Sequence, residues 1–285
     1  MTRGCRPRHG RIAAALFAGT QFLTGCGQPG GPAADRSPPD ADRIVASTHQ
    51  TFHRAIYYKP ADDVAAERAA LAPLIVQELA GRRAAHIASR PGNAAGTPTI
   101  YRVESVARLS RGAYRQLAYA WAYPGRRRAD PPRWRTVRVT FASDGAPAIW
   151  EAFADDDPAR RIFVSAALES RAALENGPPL PGRRFSIERS LADAPQAVVP
   201  RTLADGPQPM GPFVYLDAAL RFTTLLCRCM PSQFDQADET LNYRLVDFDP
   251  ADPAAGMTIP IAPDLALGGE PADSLDRLLR LPGAW

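Results

Sequence analysis

Histidine and cysteine are scarce in this chain, with four of each among 285 residues, and the motifs of the best-known enzyme classes are missing. The sequence contains no Gly-x-Ser-x-Gly, no Ser-x-x-Lys, no His-Glu-x-x-His and no glycine-rich phosphate loop. These absences exclude the usual sequence forms of serine hydrolases, zinc proteases and P-loop proteins. An enzyme of unfamiliar type is not excluded, but a non-catalytic role is favoured.

Residues 1–25 are typical of an export signal, because four arginines precede an apolar segment, 12–22, that is too short to span a bilayer. The signal ends in Leu-Thr-Gly before Cys26, a sequence that resembles the lipobox of bacterial lipoproteins. The resemblance implies cleavage before Cys26, a diacylglycerol on its sulfur and anchoring in a membrane of the cell envelope. A plain signal peptide or a signal anchor with an incidental cysteine is the alternative. Gly27 follows the cysteine, and by resemblance to enterobacterial lipoproteins this favours the periplasmic face of the outer membrane over the inner membrane.

The mature chain that the signal predicts has no net charge. The whole chain carries +4, from 34 basic and 30 acidic residues. Removal of the four signal arginines leaves 30 of each sign, so the mature chain is neutral. Neutrality gives no support to nucleic-acid binding. The expected partners are the membrane, through the anchor, and an envelope protein or a small ligand.

The remaining chain is expected to fold as one α+β domain over residues 42–249. A flexible Pro/Gly-rich tether reaches from Cys26 to residue 41, and a Pro/Gly-rich extension with a short helix covers 250–285. Apolar residues at helical spacing predict two N-terminal helices, over 42–58 and 62–83.

The clearest strand signal lies between residues 99 and 153. Alternating apolar and polar residues predict four strands, at 99–109, 114–123, 133–141 and 148–153. Short turns between them indicate an antiparallel meander. The predicted fold is therefore a mostly antiparallel β-sheet packed against the two N-terminal helices.

The sequence Cys227-Arg228-Cys229-Met230 is the main candidate site. Cys5 belongs to the signal and Cys26 to the anchor, so Cys227 and Cys229 are the remaining pair. A strand is favoured here over a helix, and on a strand the two side chains share a face with Cα atoms about 6.6 Å apart. Three interpretations stay open: inert or permanently bonded cysteines, a labile disulfide, and a Cu(I) site that includes Met230.

His49 and His53 are a weaker candidate. Their spacing of four residues places them on one face of the first predicted helix, where both could bind one metal ion. With Cys227 and Cys229 they would complete a set of four ligands. The alternative is two solvent-facing side chains with no shared role.

An aromatic stripe runs along the predicted strands, formed by Tyr119, Trp121 and Tyr123 and extended by Tyr101. Such a stripe either lines a ligand cleft or belongs to the core. Taken together, these features predict first a lipid-anchored envelope protein that binds a partner or ligand without catalysis. The alternative is a periplasmic thiol-redox or copper-handling protein that uses Cys227 and Cys229.

Overall fold

A computed structural model describes residues 39–79, 85–91, 95–127, 129–206, 208–248, 275–283 and 285. These residues belong to one compact unit. The predicted signal, Cys26, nearly all of the tether and residues 249–274 lie outside the described part, so the predictions for them remain predictions.

The described residues are mostly β. Their helices are short: α1 Ala41–Ser47, α2 Ala66–Leu71, α3 Ala166–Asn176 and α4 Leu275–Leu278. Their strands are β1 Ala55–Pro60, β2 Leu74–Glu78, β3 Thr99–Leu109, β4 Gly112–Tyr123, β5 Arg133–Phe141, β6 Pro147–Ala154, β7 Asp157–Ser165, β8 Ala197–Val198, β9 Thr202–Leu203, β10 Pro212–Leu216, β11 Phe222–Cys227 and β12 Ala237–Asp247. No described helix is long and apolar enough to cross a bilayer.

All of these strands join one mixed sheet in the order β11-β10-β2-β1-β12-β3-β4-β5-β6-β7-β8, and β9 also pairs with β7. The meander predicted between residues 99 and 153 is present as β3 to β6 and continues into β7. Strands β10, β2, β1, β12 and β3 include parallel pairs. The predicted fold class is therefore wrong, because the sheet is mixed and is not packed against long N-terminal helices.

The first predicted helix, over 42–58, fails after α1. Asp40 caps α1 by accepting a hydrogen bond from the backbone N–H of Arg43 at 3.0 Å, and the helix ends at Ser47. The following residues form β1, whose Ile56-Tyr57-Tyr58 is rich in the β-branched and aromatic types that favour strands. The residues at apparent helical spacing therefore belong to different elements, with Ile44 in α1 and Ile56 in β1.

The second predicted helix, over 62–83, fails at Pro73. Proline lacks a backbone N–H and disfavours helical backbone at the residue before it. Ala72 accordingly has extended angles, φ −70° and ψ 146°, and ends α2. The next residues, Leu74–Glu78, form β2 between β1 and β10.

The sheet curls until its two ends approach each other. Arg135 of β5 donates from Nε to the carbonyl oxygen of Leu220 at 2.5 Å, although six strands separate β5 from β11 in the sheet order. The rings of Trp121 in β4 and Phe222 in β11 lie 6.2 Å apart. One core cluster consequently contains buried side chains from nearly every strand. We call the line where β11 faces β5, β6, β7 and β9 the seam.

A second core cluster lies beside β6 and β7. It includes Leu168 of α3, Leu275 and Leu278 of α4, and Trp285. The Trp285 ring stacks on Tyr114 with centroids 4.3 Å apart. The described end of the chain thus packs onto the same sheet.

Candidate functional site

Cys227 and Cys229 meet in a turn at the end of β11. The strand ends at Cys227, and the backbone N–H of Met230 donates to the carbonyl oxygen of Cys227 at 2.9 Å. This bond closes a four-residue turn. The strand prediction is therefore confirmed only as far as Cys227. The turn places the two sulfur atoms 2.7 Å apart, as free thiols.

The two thiols have different surroundings. Cys227 is 6% exposed, whereas Cys229 is exposed to solvent. Burial raises the pKa of the Cys227 thiol to about 11, and its hydrogen bond with Cys229 contributes in the same direction. Cys227 is therefore a protonated thiol at neutral pH, and the accessible sulfur is that of Cys229.

Arg228 anchors the turn between the two cysteines. Its guanidinium donates to the carbonyl oxygen of Ala72, and its backbone N–H donates to that of Gly211 at 3.3 Å. Burial lowers the pKa of Arg228 from its ordinary value. The arginine thereby ties the turn to the end of α2 and to the start of β10, which holds both sulfurs in place.

Gly206 lies directly against the sulfur pair, in the loop after β9. A Cβ atom there would be 2.9 Å from Sγ of Cys229 and 3.3 Å from Sγ of Cys227. Because the first distance is shorter than real Cβ contacts, the loop can lie this close to the sulfurs only with glycine. The loop covers one side of the pair.

A cavity of about 270 Å³ opens beside Cys227, and we call it the thiol pocket. It lies at the seam, and its lining includes Trp150, Gly206 and Met210. The Nε1 of Trp150 is buried and has no hydrogen-bond partner in the described structure. The sequence prediction missed Gly206, Met210 and Trp150, because only the curl of the sheet brings β6 and the loop after β9 to the end of β11.

Met230, the predicted sulfur ligand, packs elsewhere. It lies against the apolar cluster of Phe52, Val76, Tyr215 and Leu226, on the edge of the sheet formed by β10 and β11. Met210 is the methionine that shares the thiol pocket with Cys227.

His49 and His53 do not share a helix face, because α1 ends before both. His53 is exposed, and its Nδ1 lies 2.8 Å from Oδ2 of Asp235. Across the described ranges, no group of three or more His, Cys, Asp or Glu side chains is arranged to hold a metal ion. The structure does not bring the two histidines into a ligand set with Cys227 and Cys229.

The aromatic stripe is divided between two faces of the sheet. Tyr119, Trp121 and Tyr123 are fully buried in the largest core cluster. Tyr101 lies on the other face, with its ring 6.1 Å from that of Trp134. Burial raises the pKa of Tyr119 to about 12. These four side chains are packed among core residues and do not line the thiol pocket.

No family model, curated protein or solved structure matches this chain. The function is therefore inferred from its own residues.

Proposed function

We propose that this protein is a lipid-anchored envelope protein whose Cys227 and Cys229 form a reversible dithiol–disulfide pair. The observation that supports this most is the turn at the end of β11, which holds the two sulfurs 2.7 Å apart with one exposed and one buried. A disulfide has a sulfur–sulfur distance of about 2.05 Å, so closure needs only a small movement.

The exposed and buried thiols suit the two steps of thiol–disulfide exchange. The Cys229 thiolate attacks a partner disulfide, which forms a mixed disulfide and releases one partner thiolate. Cys227 then loses its proton to solvent and attacks Sγ of Cys229, so that the second partner thiolate leaves. The pair is oxidised to a disulfide and the partner disulfide is reduced to two thiols. The reverse sequence oxidises a partner dithiol.

A purely structural disulfide is a weaker explanation. The loop between Cys227 and Cys229 contains a single residue, and the stabilisation expected from a disulfide falls as the closed loop shortens. A bond here would therefore stabilise the fold little. Reversible chemistry gives a better reason for holding the two sulfurs together.

The experiment is a redox titration of the mature chain in glutathione buffers, followed by intact mass after alkylation of free thiols. We expect one disulfide between Cys227 and Cys229, seen as the loss of two hydrogens, with a midpoint above about −300 mV. The Cys227→Ser and Cys229→Ser variants serve as controls and should lack that bond. A pair that stays reduced in every buffer would contradict the proposal. So would a disulfide that is reduced only at potentials below about −300 mV.

Copper handling is a second candidate, favoured by Met210. Two thiolates and a thioether are the soft ligands that suit Cu(I), and Met210 lines the same pocket as Cys227. In a Cu(I) titration of the reduced protein, Met210→Leu should weaken binding and Met230→Leu should not, because Met230 packs outside the pocket. Equal affinities in both variants and the native chain would remove Met210 from this role.

The broader expectation of a non-catalytic component that binds a partner stays a prediction. Unlike the thiol proposal, it does not require Cys227 and Cys229. If the Cys227→Ser, Cys229→Ser double variant restores function to a deletion strain at normal protein level, the thiols are dispensable and a binding role is favoured.

A further inference from the structure

A second cavity of about 300 Å³ lies at the other end of β11, and we call it the arginine cavity. It is enclosed by α1, the start of β7 and the turn between β10 and β11. Its charged lining consists of Arg43, Asp157, Arg161, Asp217 and Arg221. Three guanidinium groups and two carboxylates leave one positive charge in excess.

The two carboxylates are already occupied by donors. Asp157 accepts from Arg161 at 2.8 Å and from the backbone N–H of Ala159 at 2.9 Å. Asp217 accepts from the Nε of Arg221 at 2.8 Å and also from two backbone N–H groups of its own turn. Because their oxygens are held by these donors, the aspartates are poor competitors for further N–H groups.

Two of the guanidinium groups, those of Arg161 and Arg43, are less fully paired than the carboxylates. The Arg161 side chain is 7% exposed, and its buried Nε has no hydrogen-bond partner in the described structure. Arg43 is exposed and forms no ion pair with a described residue. Arg161 also lines the cavity, so an anionic oxygen bound there would lie beside its guanidinium, and guanidinium groups form their strongest hydrogen bonds with anionic oxygens.

We infer that the arginine cavity binds a small oxyanion, through Arg161 from within and Arg43 at its rim. Guanidinium groups bind carboxylate and phosphate oxygens with particular geometric complementarity. A cavity of about 300 Å³ has room for such a group together with its substituent. This inference does not depend on the thiol chemistry at the other end of the strand.

The test is calorimetric titration of the mature chain with inorganic phosphate and, separately, with acetate and succinate at constant ionic strength. We expect saturable binding of at least one of these anions, while chloride gives none. Preference for phosphate would identify a phosphate-bearing ligand, and preference for acetate or succinate an organic acid; each supports the inference. Failure of every oxyanion to saturate would overturn it.

Variants separate specific binding from general attraction of anions. Arg161→Gln should weaken binding by about tenfold or more, because it removes a buried charged donor. Since that variant could also impair folding, Arg43→Gln is the milder change and should weaken binding roughly two- to fivefold. Arg54→Gln is the matched control, since Arg54 is 65% exposed and pairs with Asp238 outside the cavity. Equal losses in Arg43→Gln and Arg54→Gln would overturn the inference.

Discussion

The two ends of strand β11 lie against the same seam, yet they carry different chemistry. The cavity at Phe222 is lined by three guanidinium groups and two carboxylates, whereas the lining at Cys227 combines a thiol, a thioether and an indole with the carboxylates of Asp144 and Asp205. At both ends most of the reactive groups come from outside β11, some from turns, such as Asp217 and Cys229, and some from neighbouring strands, such as Arg161 of β7. The curl of the sheet brings strand residues and turn residues together at each end of β11, and the identity of those neighbours determines the chemistry there.

The two cavities also differ in the buried N–H donor that has no hydrogen-bond partner among the described residues. The arginine cavity contains a buried charged donor, at Nε of Arg161, and the thiol pocket contains a neutral one, at Nε1 of Trp150. An unpaired charged group is the more costly, and the three guanidinium groups around the arginine cavity make it the more favourable place for an anionic ligand. The thiol pocket can remain without one, and its chemistry lies in the sulfur pair.

The largest expected effect is a loss of stability of the curled sheet that holds both ends, through Arg135→Met. Arg135 is 1% exposed and bonds to Leu220, whose φ of 67° is the one positive value among the described non-glycine residues. Its loss leaves Asp155 and Asp156 without their buried cation and frees the turn before β11. We expect a loss of about 3–5 kcal/mol in the free energy of unfolding, measured with urea.

The control for that change is Arg54→Met. Arg54 is an exposed arginine with one carboxylate partner, so the expected loss is below about 1 kcal/mol. If Arg135→Met costs no more than this control, the curl of the sheet does not depend on the contact across the seam.

The next effect concerns only the sulfur end, and it depends on pH. In the Cys229→Ser variant the remaining thiol, Cys227, has a pKa raised to about 11 in the native protein, chiefly by burial. Only the thiolate reacts, so alkylation should speed up about tenfold per pH unit from neutral pH until the pH nears that pKa. The rate is measured with iodoacetamide, and unfolding in urea should abolish the difference from a free cysteine. A Cys227 that reacts at neutral pH as fast as the exposed thiol of Cys227→Ser would contradict the burial of this sulfur.

How much of this could be predicted from the sequence depends on the range of the interactions. Local alternation correctly predicted β3 to β6, and each of these strands pairs with the next one along the chain. The parallel pairing of β1 with β12 joins residues that are far apart in the chain, and no local pattern indicates it. Pro73 is a local signal against a helix over 62–83, because proline disfavours helical backbone at the preceding residue, Ala72.

The same distinction between local and long-range interactions applies to the candidate site. Cys227 and Cys229 could be singled out because they are neighbours in the sequence. Met230 was included for the same reason, but the turn directs it to another cluster. Met210, Gly206 and Trp150 reach the sulfurs only through the curl, so no spacing in the chain could have identified them.

The smallest expected effect tests the neutral donor of the thiol pocket, with Trp150→Phe. Its Nε1 has no hydrogen-bond partner among the described residues, so the change removes apolar volume but none of the hydrogen bonds seen there. The matched change is Tyr243→Phe, because the Tyr243 hydroxyl donates to the carbonyl oxygen of Pro73 at 2.7 Å in the same core cluster. Losing that bond leaves a buried acceptor unpaired, at a cost of about 1–3 kcal/mol. Because Trp150→Phe leaves a cavity in the core, we expect it and Tyr243→Phe to cost similar amounts, about 1–3 kcal/mol each in urea unfolding. A cost for Trp150→Phe that exceeds that of Tyr243→Phe by more than about 2 kcal/mol would mean that the indole N–H has a partner in solution, and the thiol pocket would then resemble the arginine cavity in holding a ligand.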